Sequence, residues 1–163
     1  MRLKNCWTLL PWLQVVLPGI LLTAGLSAQM APTLTISPVP TVKVKKGAAA
    51  VVSLKASLPA GYHANSNKPS EAYLIPLTLK WTAGPLQMET VTYPQPSLEK
   101  YSFSETPLSV VTGAFTITTK FKVPADAPGG PAAQTGTLRY QACDNKACYP
   151  PKTLPVNITV SVE

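Results

Sequence analysis

The chain has 163 residues, enough for one domain with a core of its own and too few for two of ordinary size once an export segment is set aside. Only 13% of the residues are charged, and the lysines behind the net charge of +7 are scattered rather than clustered, which argues against a nucleic-acid or membrane-surface partner. The 18 prolines and 9 glycines punctuate the chain throughout, and no window beyond the first 28 residues sustains a 3.6-residue period, so a helical fold is excluded.

Residues 1–28 read as a secretory signal peptide. Arg2 and Lys4 give a basic start, an apolar stretch runs from about Trp7 to Leu26, and the small residues Ser27 and Ala28 follow. The competing reading is a retained anchor, since about 20 apolar residues span a bilayer. Pro11, Pro18, Gly19 and Gly25 interrupt the stretch and favour cleavage, with no stable membrane insertion afterwards. The mature domain is then 29–163. Cys6 leaves with the signal, and the net charge falls by the two of Arg2 and Lys4, to +5.

From residue 33 onward apolar and polar residues alternate, the period of half-buried strands, over 33–37, 41–45 and 51–56. Residues 61–70 are rich in turn formers and read as a loop. A strand pattern returns at 77–81. Residues 93–103, with two prolines and several aromatics, read as a second long loop, the kind of place where function sits on a sandwich. Strands follow at 113–123, 137–140 and 156–162, with a Pro/Gly-rich connector over 125–133. Seven or eight such strands specify an all-β fold, an immunoglobulin-like antiparallel β-sandwich, with a barrel as the alternative.

The mature chain keeps two cysteines, Cys143 and Cys148, and an exported protein oxidises such a pair by default. Asp144 and Asn145 suit the tip of a hairpin, and facing positions of an antiparallel pair, about 4.5 or 5.5 Å apart at Cα, lie within disulfide reach. As a staple the bond is weak: closing a ring of about six residues contributes roughly 2 kcal/mol, against about 4.7 for a hundred-residue loop. Redox exchange, a static surface disulfide and a metal site are the three readings of the pair. Lys146 favours a thiolate and Asp144 opposes it. Zinc lacks ligands, since His63 is the one histidine, and copper would have to recruit Met30 or Met88. No haem, phosphate-loop or Ser/His/Asp pattern is present, so no cofactor and no metal is expected. His63 and Glu71 show no spacing that marks an acid/base pair, and His63 reads as a loop or packing residue.

The run Tyr140-Gln141-Ala142-Cys143, followed by Cys148-Tyr149-Pro150-Pro151-Lys152-Thr153, resembles the active-site hairpin of the N-terminal periplasmic domain of the thiol:disulfide interchange protein DsbD family. Gly61-Tyr62-His63, Tyr73-Leu74-Ile75-Pro76 and Val91-Thr92-Tyr93-Pro94 are similar to the form of this domain in many bacterial DsbD-like proteins. The resemblance implies a periplasmic thiol-disulfide oxidoreductase domain, and a monomer is the separate expectation for its assembly. It would relay electrons between a thioredoxin-like or membrane donor and oxidised periplasmic proteins. It implies that Cys148 forms mixed disulfides with partners and Cys143 resolves them. It also implies a cap loop over the pair, here drawn from Tyr93, Leu98, Tyr101 and Phe103. The best-known members carry five residues between the cysteines and an acidic-aromatic cap; this chain has four and a different cap sequence. It also ends at Glu163 without a multi-helix membrane segment or thioredoxin-like domain, so the expectation is a carrier supplied by another chain. The alternative is a non-catalytic binding or structural module whose disulfide stiffens a loop.

Overall fold

The computed structural model describes residues 32–163; the stretch read as a signal peptide, Cys6 and Met30 lie outside the described residues. Twelve strands and no helix fill the described part. In chain order they begin with β1 (Thr35–Ile36), β2 (Val42–Val44), β3 (Ala49–Ser57), β4 (His63–Asn65), β5 (Thr78–Trp81) and β6 (Gln87–Thr92). They continue with β7 (Ser97–Glu99), β8 (Leu108–Thr112), β9 (Ala114–Lys122), β10 (Gly130–Tyr140), β11 (Ala142–Cys143) and β12 (Lys152–Val162).

The fold is an immunoglobulin-like β-sandwich. One layer has the order β1-β3-β9-β6 and the facing layer β2-β12-β10-β5. Strand alternation makes this possible: every second residue of β3 and β9 is buried, so Val52, Leu54, Ile117 and Phe121 of one layer meet Leu138, Ile158 and Val160 of the other. Trp81 of β5 joins the layers, its ring edge-on to Phe121 at 5.1 Å and its indole N–H donating to Thr119 Oγ1 at 3.1 Å. Its partner across the ladder is Gly136, where a Cβ would come within 2.7 Å of the Trp81 ring and of Lys80 O, so only glycine fits. The pairing is antiparallel except for β2 against β12, which is parallel.

A third sheet, β11-β4-β8-β7, goes beyond the two layers that the alternation implies. Residues paired in register share a face, so Ala142, Ala64 and Val111 point one way, into the main core. Cys143, His63 and Thr112 point the other way, together with Val110 and Leu108. Residues 61–70 therefore contain a strand, not only a loop. All three residues of β4 are buried, which erases the alternation that reveals a half-exposed strand. β7 likewise lies inside the stretch read as loop over 93–103, and β10 begins within the connector read over 125–133.

Candidate functional site

Cys143 ends β11 and is bonded to Cys148, which faces it as an isolated antiparallel bridge with 3.9 Å between the Cα atoms. That is closer than either ladder spacing expected from sequence, because four intervening residues close a tight turn. Inside it Asp144 N donates to Ala147 O at 2.9 Å, and outside it Tyr149 N donates to Ala142 O at 2.8 Å. Asp144 holds the turn from within: Oδ1 accepts from Lys146 N and Ala147 N at 2.7 and 2.9 Å, and Oδ2 accepts from the Tyr149 hydroxyl at 2.9 Å. The bonds from Ala147, Lys146 and Tyr149 hold the Asp144 carboxyl below its usual range, and the Asp144 bond pushes the Tyr149 hydroxyl up to about 12.

Behind the hairpin, Gln141 works as a clamp. Its Oε1 accepts from Asn65 Nδ2 and from Ile75 N, both at 3.1 Å, and its Nε2 donates to Tyr149 O at 3.2 Å. It thereby joins β4, the segment before β5 and the exit of the cysteine turn.

The two sulfurs are not equivalent. Cys143 is 0% exposed, whereas Cys148 is half-buried. Cys148 belongs to a small cluster of its own, packed with Tyr101 and Phe103 against the buried Leu74, Leu108 and Val110. Tyr101 and Phe103 are stacked at 5.7 Å, and Tyr101 in turn stacks on His63 at 4.0 Å with 16° between the rings. The loop carrying them is fastened to the turn by Ser102 Oγ, which donates to Asn145 O at 2.8 Å. Lys100 Nζ folds back on the same loop, donating to the carbonyls of Ser104 and Glu105.

The four aromatic and aliphatic candidates from the 93–103 segment are therefore divided. Tyr101 and Phe103 lie beside Cys148. Tyr93 packs against the main core, and its hydroxyl accepts from Leu79 N at 2.9 Å. Leu98 is 73% exposed and alternates with Ser97 and Glu99 along β7.

His63, read from sequence as a loop or packing residue, lies beside the disulfide. It pairs with Cys143 in register, is 2% exposed, and its Nε2 has no hydrogen-bond partner. Burial lowers its pKa from 6.5, against the opposing pull of Glu99 and Asp144. Glu99 is engaged by the Tyr101 hydroxyl at 2.6 Å and by Ser97 Oγ at 2.7 Å, and those bonds hold its carboxyl below the usual range. Desolvation, then the bond to Glu99, raises the Tyr101 hydroxyl well above its ordinary value. A cleft of about 260 Å³ opens beside these groups, lined by Tyr62, His63, Glu99, Tyr101, Thr112 and Asn145 among others. Among the described residues no three His, Cys, Asp or Glu side chains are grouped to hold a metal ion, and no helix is long and apolar enough to cross a membrane.

A local disulfide on the outer face of an immunoglobulin-like sandwich, one sulfur buried and one under aromatic cover, defines a disulfide-bearing domain suited to thiol exchange. The family model described as "Thiol:disulfide interchange protein DsbD, N-terminal" matches residues 33–159, and the chain belongs to that family. Family and disulfide together make it a thiol-disulfide exchange domain. Among solved structures it is similar to the N-terminal periplasmic domain of ScsB from Proteus mirabilis, at 16% identity and a TM-score of 0.52. That match covers 77% of this chain and 44% of the other, so the chain spans less than half of that structure. A second similar structure is the seventh ScaB type I cohesin from Pseudobacteroides cellulosolvens, at 14% identity, a TM-score of 0.43, and coverage of 80% and 92%. A search of the curated proteins found no match.

Proposed function

We propose that the mature domain, residues 29–163, is a periplasmic electron carrier. Its Cys143/Cys148 pair takes electrons from a thioredoxin-like or membrane thiol-disulfide protein and passes them to oxidised partner proteins. The observation that carries this reading is the unequal burial of the two sulfurs. Exchange begins with a thiolate that a partner disulfide can reach, and Cys148, at the edge of its aromatic cover, meets that requirement when Tyr101 and Phe103 move aside. Cys143, fixed in β11 and wholly buried, is reachable only by Cys148, which is the position of a resolving thiol. Tyr101 and Phe103 are the cap; Tyr93 and Leu98 act elsewhere. Family membership supports the periplasmic setting and thiol-disulfide proteins as partners.

Trapping tests the reading. Cys143→Ser is expected to accumulate mixed disulfides between Cys148 and thioredoxin-fold proteins of the periplasm, and Cys148→Ser to accumulate none. An absence of adducts in the first variant, under conditions that trap a control oxidoreductase, would sink the proposal. So would a reduction potential of the wild-type pair below about −300 mV, the range of inert structural disulfides.

A further inference from the structure

Oxidation of a dithiol releases two protons along with two electrons, and the two cysteines differ in where a proton can go. Cys148 is half-buried, but Cys143 is 0% exposed, and burial in apolar surroundings makes a thiol harder to ionise. His63 stands opposite Cys143 in the β4–β11 register, with both side chains on the outer face of the third sheet. The imidazole is 2% exposed, and its Nε2 lacks any hydrogen-bond partner while the cysteines are bonded to each other. Buried polar atoms are almost always paired, so such a vacancy calls for a partner present in another state of the site. Reduction supplies one, because it places a thiol S–H on the facing strand.

We propose that His63 is the general base of the resolving step, accepting the thiol proton of Cys143. The proposal rests on the exchange reading above, with Cys148 as the attacking residue. At that stage a mixed disulfide joins Cys148 Sγ to a partner sulfur. The proton of Cys143 passes to His63 Nε2, and the Cys143 thiolate attacks Cys148 Sγ. The Cys143–Cys148 bond forms, the bond to the partner breaks, and the partner sulfur leaves as a thiolate with the electron pair. The partner's disulfide is the oxidant: it gains the two electrons that the Cys143/Cys148 pair loses as the pair becomes a disulfide. The proton on His63 returns to water, or to the departing thiolate, through the cleft that His63 lines.

The groups facing the ring are Glu99 from β7, Tyr101 from the cap loop and Asp144 from the hairpin turn. Both carboxylates are already occupied, Glu99 by Tyr101 and Ser97, and Asp144 by Lys146, Ala147 and Tyr149. Among the described residues the buried side-chain atoms left without a partner are His63 Nε2 and Asn65 Oδ1, both on β4, and of the two only the imidazole is a base. Burial keeps the ring neutral at neutral pH, the state in which it can take a proton.

The test uses reduced protein mixed with oxidised glutathione, quenched in acid and analysed by mass spectrometry, so that formation and resolution of the glutathione adduct are timed separately. In the wild type, the resolution rate is expected to rise through one ionisation below pH 6.5 and then level off. A rate that instead climbs steadily to pH 9 overturns the proposal. His63→Gln is expected to slow resolution about 100-fold at pH 7 while adduct formation stays within about twofold. Resolution at the wild-type rate overturns it. His63→Ala is expected to regain part of the lost rate with added imidazole; slowing that imidazole does not relieve marks a packing role and overturns it. Failure of the exchange reading shows earlier and separately, as the absence of any adduct in Cys143→Ser.

Discussion

The sandwich core and the cover over the disulfide are both hydrophobic clusters, but they are built on different scales. The core lies between strands of 9 to 11 residues, β3, β9, β10 and β12, and includes wholly buried side chains from both layers. The cover stands on strands of 2 to 5 residues and has three buried members, Leu74, Leu108 and Val110, completed by the partly buried Tyr101, Phe103 and Cys148. On the proposed function, stability belongs to the first and access to the second. A few weak contacts can open without disturbing a ladder, whereas a long strand pair opens only as a unit.

The largest effect expected from this contrast is in the core. Phe121 is 0% exposed and meets Trp81 edge-on, so Phe121→Ala should cost about 3–5 kcal/mol in urea denaturation of the oxidised protein. A cost under about 1 kcal/mol would place the stability elsewhere. In the cover, Tyr101→Ala removes stacking worth about 0.5–1.5 kcal/mol. It should accelerate alkylation of Cys148 in the reduced protein by up to about tenfold, and unchanged alkylation would break the assignment of Tyr101 as a shield.

A subtler effect concerns pH. The folded state lowers the His63 pKa from 6.5, so below that value the unfolded chain binds a proton that the native ring resists, and stability falls. Above pH 6.5 both states are neutral and the effect vanishes. The lowered carboxyls of Glu99 and Asp144 add their own loss only below their ordinary values of 4.5 and 3.8. Between pH 7.5 and 5.5 the wild type should therefore lose stability and His63→Gln should lose less; equal slopes would show that His63 is not the buried group responsible. The smallest change is expected from Leu98→Ala. At 73% exposure, it should alter neither stability, within about 0.5 kcal/mol, nor the alkylation rate of Cys148.

The same contrast governs what was legible in the sequence. Long strands buried on one face announce themselves by alternation, and the patterns at 51–56, 113–123 and 156–162 fall on β3, β9 and β12. The third sheet was illegible because β4 and β8 are buried on both faces, and His63 and Asn65 look like turn formers when read locally. The cysteines were visible through their spacing, and the aromatics that cover Cys148 were within the segment singled out. His63 was read only as a loop or packing residue, since its place opposite Cys143, a residue on a distant strand, is set by the sheet register.

The Gln141 clamp and the Asp144 turn have a consequence for what a partner meets. Neither set of hydrogen bonds includes a sulfur, so cutting the Cys143–Cys148 bond leaves the backbone of the hairpin tied to β4 and to its own exit strand. The oxidised and reduced forms thus present the same peptide outline. If the domain is the carrier proposed above, a donor and an acceptor can dock on one shared footprint, and what tells its loaded form from its empty one is confined to two sulfur atoms and the aromatic rings beside them.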